Sequence, residues 1–425
     1  MNIGVILAGG KSSRFNSDTP KGLHRIDGKS VVSRILEIFK IADFNKIYLV
    51  VNEDNYLCFL KENLDVNYIV QTKVNGTGSA FYLLKDYIGE SDNVIVVNSD
   101  CFMFEKKTIN WFYDLCSRSG LNIGVIGTKE ISGINLGKID VKENRVEVIE
   151  VEDKRYYDIH GDIYNTGIYF FRGEFLARNI EVLDNNLEEN RLTRLLMLDN
   201  VYVFNSDYLV YCFNNKREYM IIVNDFYLYN CNKLIESGVK IFDVKTTFIG
   251  EDVCIGRDVE IYPNCYLLGE CEIGNNSVIF PNSFIESSVI GERCSVGPFS
   301  HLKKGSIIGD DSIVGAFVEV KNSVIKKGVK AKHHAYLGDV EIGEKTNIGC
   351  GVIIANYDGK EKHKSVIGNN CFVGSNVTIV SPVNIGEETV VGAGSTIVDD
   401  IDKNSLSIAR ARQINKNNYY ENKKR

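Results

Sequence analysis

The sequence has no apolar run that approaches the roughly 18 residues needed for a membrane-spanning helix. Its first residues, MNIGVILAGG, carry no basic segment ahead of the apolar one, which is unlike a secretory signal peptide and typical of a buried first strand. The formal net charge is −7 and no basic face dominates, so a nucleic acid is a poor candidate partner. These absences predict a cytoplasmic protein that binds neither a membrane nor a nucleic acid.

Cysteine is present, but the cysteine patterns of metal sites and disulfide frameworks are missing. The eleven cysteines are scattered from Cys58 to Cys371 and include no C-x-x-C pair. Five of them occupy positions in a repeat, described below, where a small apolar residue is suitable: Cys254, Cys265, Cys271, Cys294 and Cys371. We therefore expect reduced thiols, as is usual in the cytosol.

A chain of 425 residues is expected to form two domains, and its first half alternates short apolar runs with amphipathic stretches. The apolar runs predict strands over Ile3–Leu7, Lys46–Val51, Tyr68–Gln71, Val94–Val97 and Ile123–Ile126. The amphipathic stretches predict helices over Val31–Ile41, Ser79–Ile88 and Thr108–Cys116. This alternation predicts a doubly wound α/β sheet that binds its ligand at the carboxyl ends of the strands.

The first predicted strand ends in a glycine-rich turn with three cations nearby. Gly9 and Gly10 are followed by Lys11, Arg14 and Lys21. Backbone N–H groups in such a turn approach phosphates closely, although a plain tight turn explains the glycines almost as well.

Asp100 follows the fourth predicted strand and lies at the same edge of the sheet. Its carboxylate could hold Mg²⁺ against a polyphosphate, and the alternative role is the N-cap of the next helix. Gln71 and the segment Gly76-Thr77-Gly78 provide amide and backbone groups suited to a base edge. The first half therefore predicts a nucleotide site that uses magnesium.

The second half of the chain repeats a branched aliphatic residue every six positions, and a glycine often follows it. The repeat consists of Ile249, Ile255, Ile261, Leu267, Ile273, Ile279, Ile285, Val296, Leu302, Ile308, Val314, Val320, Ile342, Ile348, Ile354, Ile367, Val373, Ile379, Ile385, Val391 and Ile397. Three such units make one triangular coil of parallel β-structure, and about eight coils must stack to bury the aliphatic residues. An ordinary β-sandwich does not keep a period of six over such a length.

Two segments interrupt the repeat, Lys321–Gly338 and Asn356–His363. We interpret both as loops inserted at an edge of the coil stack, where functional residues are often found.

Several motifs in this half are similar to those of one enzyme family. They are Gly297-Pro298-Phe299, Phe317-Val318-Glu319, Tyr336-Leu337-Gly338-Asp339, Asn347-Ile348-Gly349, Asn356-Tyr357-Asp358-Gly359 and Phe372-Val373-Gly374-Ser375. Along nearly its whole length the chain resembles the bifunctional N-acetylglucosamine-1-phosphate uridylyltransferase / glucosamine-1-phosphate N-acetyltransferase family. The resemblance implies an α/β doubly wound nucleotidyltransferase domain followed by a left-handed parallel β-helix of hexapeptide repeats. We place the first domain at residues 1–223, a linker helix at 224–244, the β-helix at 245–410 and a basic tail at 411–425.

The resemblance implies that the β-helix transfers an acetyl group from acetyl-CoA to glucosamine 1-phosphate. His333 matches the general base that takes a proton from the sugar amine, Glu319 matches the residue that orients its ring, and His334 is expected to be a bystander. Positions around the sugar phosphate are matched by Lys303, Lys321, Tyr336, Asn347 and Lys362. Positions near acetyl-CoA are matched by Asn356, Tyr357, Ser375, Ala393 and Arg410.

For the first domain the resemblance implies uridylyl transfer from UTP. The nucleotide-binding positions are matched by Leu7, Ala8, Gly10, Lys11, Arg14, Lys21, Gln71, Gly76 and Thr77. Asp100 and Asn224 match the Mg²⁺ ligands, and Glu150 and Asn165 match contacts to the sugar. The family's β-helix also implies a homotrimer whose acetyltransferase sites lie between subunits.

The chain departs from the family pattern at four positions of interest. Lys303 stands where the family has arginine, which keeps the charge and loses bidentate phosphate binding. Ser99 and Ile222 replace glycines near the proposed metal and sugar, and Lys138 replaces an arginine of the sugar-binding stretch. Two alternatives therefore stay open: a first domain that uses another sugar phosphate or nucleotide, and a non-catalytic regulatory subunit.

Overall fold

The computed structural model describes residues 1–11, 13–44, 46–129, 131–142, 145–149, 163–184, 190–206 and 210–423. They divide into two compact units, Met1–Phe226 and Tyr227–Arg425, and the division falls inside the helix Lys216–Glu236. This helix also covers much of the segment 224–244 that we propose as a linker. Within the described part of the chain, no helix combines the length and the apolar character that crossing a bilayer requires.

The first unit contains strands and helices in alternation. The strands β1 to β13 are Asn2–Ala8, Arg25–Ile26, Lys29–Ser30, Lys46–Asn52, Asn67–Gln71, Asn93–Asn98, Cys101–Met103, Ile123–Thr128, Lys138–Lys142, Arg145–Ile149, Tyr164–Arg172, Val201–Asn205 and Val210–Cys212. The α-helices α1 to α6 are Val31–Ile41, Glu53–Leu60, Thr77–Tyr82, Thr108–Ser119, Gly173–Asn179 and Lys216–Glu236. Short 3-10 turns lie at Ser13–Phe15, Lys21–Leu23, Lys85–Tyr87, Ile180–Leu183 and Leu192–Met197.

The main sheet of this unit has the order β10-β9-β11-β6-β1-β4-β5, with β8 and β12 paired beside β11. β1 is parallel to both β4 and β6, and β5 continues the parallel part, so the predicted doubly wound α/β sheet is confirmed. β1 is buried from Ile3 to Ala8, because helices cover both faces of a parallel sheet. The predicted strands are present, whereas the helix expected over Ser79–Ile88 ends at Tyr82 and a separate 3-10 turn follows.

The second unit begins with the last turns of α6 and continues as parallel strands, most of them two or three residues long, before one terminal helix. The strands β14 to β38 are Lys240–Ile241, Phe248–Ile249, Val253–Ile255, Glu260–Ile261, Tyr266–Leu268, Cys271–Ile273, Val278–Ile279, Phe284–Glu286, Val289–Ile290, Ser295–Val296, His301–Lys303, Ile307–Ile308, Ile313–Lys321, Val324–Ile325, Lys330–Gly338, Val340–Ile342, Asn347–Ile348, Ile353–Ala355, Ser365–Ile367, Phe372–Val373, Thr378–Val380, Asn384–Ile385, Val390–Val391, Thr396–Ile397 and Leu406–Ser407. The helix α7 is Tyr419–Lys423.

These strands form the predicted left-handed parallel β-helix. One face carries eight stacked strands, which agrees with the expected number of coils, and the other two faces form a continuous sheet of 17 strands. Every aliphatic residue of the six-residue repeat is buried except Ile255, which is partly exposed. The eleven cysteines are all free, and of the five in the repeat only Cys254 is exposed.

The interpretation of Lys321–Gly338 as an inserted loop is wrong. Ile313–Lys321 and Lys330–Gly338 are long strands paired in parallel over their whole length, so the coils continue through this segment. The buried residues Ile325, Ala331 and Leu337 continue the repeat through this segment. The steps from Val320 to Ile325 and from Leu337 to Ile342 are five residues instead of six, and an alanine takes one of the buried positions. The second interruption is confirmed as a loop, in which Tyr357 and Lys362 form an antiparallel bridge.

The glycines that follow the aliphatic residues are needed because successive coils approach closely. A Cβ on Gly309 would lie 2.7 Å from the backbone nitrogen of Lys327, and one on Gly374 would lie 2.5 Å from that of Ala393. Neighbouring corners instead use asparagine and aspartate in the left-handed conformation, as at Asn276 with φ 58°. The stack therefore keeps residues from adjacent coils in register along one edge.

Candidate active sites

The carboxyl end of β1 forms the centre of the first site. Leu7 and Ala8, two of the predicted nucleotide-binding residues, are buried in β1 beside Asn98 of β6 and Val51 of β4. The turn after β1 is held from the next strand, because Asn52 Nδ2 donates to the carbonyl of Gly9 at 2.9 Å. The glycine-rich turn thus lies where parallel strands diverge, which is the usual ligand crevice of such sheets.

Two cavities lie beside this turn and divide the predicted phosphate-binding residues. Gly10 and Lys11 line a cavity of about 330 Å³. Arg14 and Asp100 line a second cavity of about 340 Å³, together with Asn165. The structure therefore brings Arg14, Asp100 and Asn165 together and places Gly10 and Lys11 in the neighbouring cavity.

Lys21 is not among the residues that line the second cavity, but it forms an ion pair with one of them, in which Nζ lies 2.7 Å from Oδ2 of Asp100. Burial lowers the pKa of Lys21, but the charge of Asp100 and the hydrogen bond to it outweigh burial, so the net pKa of Lys21 is raised. Lys21 consequently keeps its positive charge next to the only predicted metal-binding carboxylate.

Part of the wall of the cavity that Asp100 lines belongs to the predicted sugar site. It includes Asn135, Leu136 and Gly137, and Asn165 N donates to the Gly137 carbonyl at 2.7 Å. Asn98 Oδ1, also in this wall, is buried without a hydrogen-bond partner among the described residues, so it is suited to accept from a ligand. Glu150, the other predicted sugar contact, lies outside the described residues.

Of the predicted base-reading residues, Gln71 packs against the glycine-rich turn, whereas Gly76 and Thr77 contact residues 190–192. A Cβ on Gly9 would lie 2.5 Å from Gln71 Oε1, so the Gln71 amide lies directly beneath this turn. Gly76 has φ 125°, and a Cβ there would lie 2.2 Å from the Asn190 carbonyl oxygen, which only glycine allows. Thr77 Oγ1 accepts a hydrogen bond from Leu192 N at 3.1 Å.

The residues that depart from the family pattern do not line the cavity. Ser99 packs on Gly22, whose Cβ would lie 3.0 Å from that of Ser99, and Ile222 is fully buried in α6. Asn224, the second predicted Mg²⁺ ligand, is exposed on α6 and is not among the residues that line the cavity of Asp100.

Two cysteines lie next to Asp100 that no pattern in the sequence indicates. Cys101 and Cys212 are directly opposite each other on β7 and β13, and their Sγ atoms are 3.2 Å apart. Burial raises the pKa of both thiols. Their separation of 111 residues leaves no signal in the sequence, because only strand pairing brings them together.

The second site follows strands of adjacent coils in the β-helix. Lys303 and Lys321 are direct neighbours across paired strands, as are Glu319 and Tyr336. Glu319 forms an ion pair with Lys303, whose Nζ lies 2.7 Å from Oε1. His333 is exposed on the strand Lys330–Gly338 and is paired with Ala316 rather than with Glu319.

His301 is a further histidine at this site that the sequence analysis did not identify. It is in register with Glu319 and packs edge-on against Phe284. Burial lowers the pKa of His301, and Lys303 lowers it further, against the opposing charges of Glu319 and Glu286. The lowered pKa of His301 favours the neutral form of its imidazole.

Tyr336 meets Asn356 at Gly338. A Cβ on Gly338 would lie 2.5 Å from the Tyr336 hydroxyl oxygen and 2.9 Å from Asn356 Nδ2. Asn356 is buried, and its amide and that of Asn322 both donate to the carboxylate of Asp339. Residues predicted for the sugar and for acetyl-CoA are thus neighbours, and Asn356 is held in place by Asp339.

The remaining predicted acetyltransferase residues lie on later coils. Asn347 is partly buried in a strand that pairs with Lys330. Tyr357 and Lys362 form the bridge of the exposed loop. Ser375 and Ala393 are exposed on consecutive coils, where the Ser375 carbonyl accepts from Gly394 N at 2.8 Å, and Arg410 is exposed beyond them. These residues therefore lie on coils that come after the strand of His333 in the stack.

Three family models match parts of the chain. Residues 4–136 match the MobA-like NTP transferase domain, residues 230–315 match the GMPPB C-terminal domain, and residues 364–399 match the bacterial transferase hexapeptide model with six repeats. The first supports a nucleotidyltransferase domain in the first unit, and the last agrees with the coils observed in the second.

Full-length relatives match almost the entire chain. A protein named "Bifunctional protein GlmU" from Clostridioides difficile is 31% identical, over 99% of this chain and 97% of the relative. A protein of the same name from Clostridium kluyveri is 31% identical, and the match covers 98% of this chain and 98% of the relative. Another from Carboxydothermus hydrogenoformans is 33% identical, and the match covers 98% of this chain and 99% of the relative. The similarity therefore covers both units and is not limited to the repeat.

Proposed function

Because the chain belongs to the GlmU family of bifunctional enzymes, we propose that it makes UDP-N-acetylglucosamine in two reactions, one on each unit. The β-helix transfers the acetyl group of acetyl-CoA to the amine of glucosamine 1-phosphate and releases CoA. The α/β unit transfers the uridylyl group of UTP to N-acetylglucosamine 1-phosphate and releases pyrophosphate. The resemblance inferred from sequence motifs is confirmed by the full-length similarity, and the roles of individual residues are proposals.

The observation that carries the acetyltransferase assignment is the arrangement around Tyr336. Its hydroxyl lies over Gly338 beside the Asn356 amide. Nearby, Lys303 and Lys321 lie directly opposite each other on paired strands of the β-helix. Lys303 and Lys321 place two positive charges on adjacent strands, which suits a sugar phosphate. Since Lys303 is paired with Glu319, the incoming phosphate competes with that carboxylate for the ammonium group.

In this reaction the chain supplies the proton acceptor and positions both substrates. His333 is exposed and not committed to the β-helix core, so its imidazole can take the proton that the amine loses as it attacks the acetyl carbonyl. Asn356, fixed by Asp339, and the exposed residues Tyr357, Ser375 and Arg410 provide the path along the stack for acetyl-CoA.

In the uridylyl transfer a phosphate oxygen of the sugar attacks the α-phosphorus of UTP, and the bond to pyrophosphate breaks. Arg14 and Lys21 bring positive charge to the cavity of Asp100, and Lys11 brings it to the adjoining cavity beside the glycine-rich turn. These charges stabilise the charge that develops on the departing pyrophosphate. Gln71 supports the turn from the side on which the base is proposed to bind.

The donor chemistry at Asp100 fits Mg²⁺. Its carboxylate opens on a polar cavity, and Mg²⁺ takes one or two carboxylates together with phosphate oxygens. We assign Asp100 and Asn224 to hold the ion, the latter on the family resemblance alone. When bound, Mg²⁺ offsets negative charge on the reacting phosphates.

An assembly of three chains is part of the proposal. Phe299 and Phe317 stack at 5.0 Å on adjacent coils and are 50% and 60% exposed, which makes them suitable for burial against a second copy. We expect a molar mass in solution about three times the 47.8 kDa of one chain. Light scattering coupled to gel filtration measures it, and a mass near that of one chain contradicts acetyltransferase sites between subunits.

A coupled assay tests the two activities together. The protein is incubated with glucosamine 1-phosphate, acetyl-CoA, UTP and Mg²⁺, and the release of CoA and of pyrophosphate is followed separately. Release of both is expected, and pyrophosphate release should depend on acetyl-CoA when the unacetylated sugar is supplied. No CoA release contradicts the acetyltransferase assignment, and pyrophosphate release with another triphosphate but not with UTP contradicts the uridylyl assignment.

A further inference from the structure

A pair of thiols lies beside Asp100 in the cavity wall and has no part in the chemistry proposed above. Cys101 on β7 and Cys212 on β13 face each other, with their Sγ atoms 3.2 Å apart. These two atoms and a carboxylate oxygen of Asp100 all lie within 4.8 Å of one another. Asp100 and Cys212 line the cavity, so the cluster can be reached from it although Cys101 is fully buried.

A fourth potential ligand atom lies against both sulfurs. The carbonyl oxygen of Thr166 is 2.8 Å from Cys101 Sγ and 2.6 Å from Cys212 Sγ, and Thr166 also lines the cavity. A tetrahedral Zn²⁺ with Zn–S bonds of about 2.3 Å holds two sulfurs about 3.8 Å apart. The two thiols therefore need to separate by only about half an ångström to bind such an ion.

The donor set selects a particular class of cation. Thiolate ligands favour Zn²⁺ and other soft ions, whereas Mg²⁺ binds through oxygen. We propose that Cys101, Cys212 and Asp100 form a site for a thiophilic divalent cation such as Zn²⁺ or Cd²⁺ in the wall of the nucleotidyltransferase cavity. Binding forms two metal–sulfur bonds and one metal–oxygen bond, and the two thiol protons are released to solvent.

Occupation of this site removes groups that the uridylyl transfer uses. The ammonium group of Lys21, 2.7 Å from Asp100 Oδ2, has to move, and the bound carboxylate no longer serves Mg²⁺. The cation is therefore expected to inhibit uridylyl transfer and to leave acetyl transfer unchanged. Cation binding itself does not depend on the enzymatic activity, and the inhibition alone rests on the proposed function.

Cadmium binding provides a direct test. The reduced, chelator-treated full-length protein is titrated with CdCl₂ while the ultraviolet sulfur-to-cadmium charge-transfer absorption is recorded. The double variant Cys101→Ser/Cys212→Ser is expected to lose this absorption together with one bound Cd²⁺ per chain. Cys116→Ser removes a buried thiol of α4 outside the cluster and should retain both. Equal absorption and stoichiometry in the double variant and the parent overturn the proposal.

The Asp100→Asn variant tests the carboxylate while both thiols remain. Its Cd²⁺ affinity is expected to fall at least about tenfold, and an unchanged affinity removes Asp100 from the site. Circular dichroism and thermal unfolding without metal show which variants keep the fold. If the double variant does not fold, Cys212→Ser alone, altered at the cavity surface, takes its place with the same expected loss.

Inhibition is measured on the same samples, each relative to its own metal-free rate. In the parent, Cd²⁺ should inhibit uridylyl transfer in proportion to the occupancy of the site, a chelator should restore it, and acetyl transfer should not change. The remaining uridylyl transfer of the double variant should resist Cd²⁺. Cadmium that binds the thiols without slowing uridylyl transfer overturns the inhibitory role, whereas a parent with no uridylyl transfer before metal is added contradicts the proposed function instead.

Discussion

Replacement of His333 by alanine is expected to lower the rate of acetyl transfer to glucosamine 1-phosphate by about 10²–10⁴-fold, the usual contribution of a general base. Uridylyl transfer to N-acetylglucosamine 1-phosphate should be unchanged, because that reaction is assigned to the other unit. His333 is exposed at the surface of a long strand, so its removal leaves no cavity and should change the free energy of unfolding by less than about 0.5 kcal/mol. CoA release and pyrophosphate release, measured on one preparation, separate the two effects.

His334 provides the matched control for this experiment. It is the adjacent residue, is also exposed, and has φ 26°, and its carbonyl accepts a hydrogen bond from Gly351 N at 2.6 Å. Its contribution to the fold is thus made by the backbone, and His334→Ala should retain acetyl transfer close to that of the parent. A large loss of acetyl transfer in His334→Ala, with little loss in His333→Ala, would show that His334 and not His333 accepts the proton.

The second large effect is expected from Asp100→Asn, which should lower uridylyl transfer by at least about 10²–10³-fold. The substitution keeps the shape of the side chain and removes its negative charge, so both the ion pair with Lys21 and the proposed Mg²⁺ ligand are lost. Acetyl transfer should remain at the parental rate. Pyrophosphate release as a function of Mg²⁺ concentration is the measurement, and we expect a weaker Mg²⁺ dependence together with the lower rate.

Asp114→Asn is a suitable comparison, since Asp114 is an exposed carboxylate on α4 of the same unit and does not line the cavity of Asp100. It should leave uridylyl transfer unchanged. If Asp100→Asn retains activity within about tenfold of Asp114→Asn, Asp100 does not hold the catalytic ion, since loss of a group that stabilises transition-state charge costs more than that.

The fold of the second unit could be predicted almost residue by residue from the sequence. A period of six residues is a local property, and each repeat of the aliphatic residue specifies the same buried position in a coil. The prediction failed between Lys321 and Gly338, because the steps of the repeat into and out of this segment shorten to five residues and Ala331 replaces the large aliphatic side chain. The coil persists there because two long strands pair along their entire length, an interaction between distant residues that no local pattern records.

The first unit shows a similar division. The strands were predictable from apolar runs, and their carboxyl ends correctly indicated where the polar residues gather. The distribution of Lys11 and Arg14 over two cavities was not predictable, and neither was the packing of Ser99 on Gly22 away from the cavity. Both depend on how the loop folds over the sheet.

By itself the sequence determined the architecture of the two units and the family, because hydrophobic period and local motifs act over a few neighbouring residues. Only the tertiary structure decided which residues meet at the two sites. It paired Glu319 with Lys303, enclosed Asn356 against Asp339, and brought Cys212 to Cys101 beside Asp100. Such contacts are set by strand pairing between segments far apart in the chain, and their chemistry follows from distances that the order of residues does not contain.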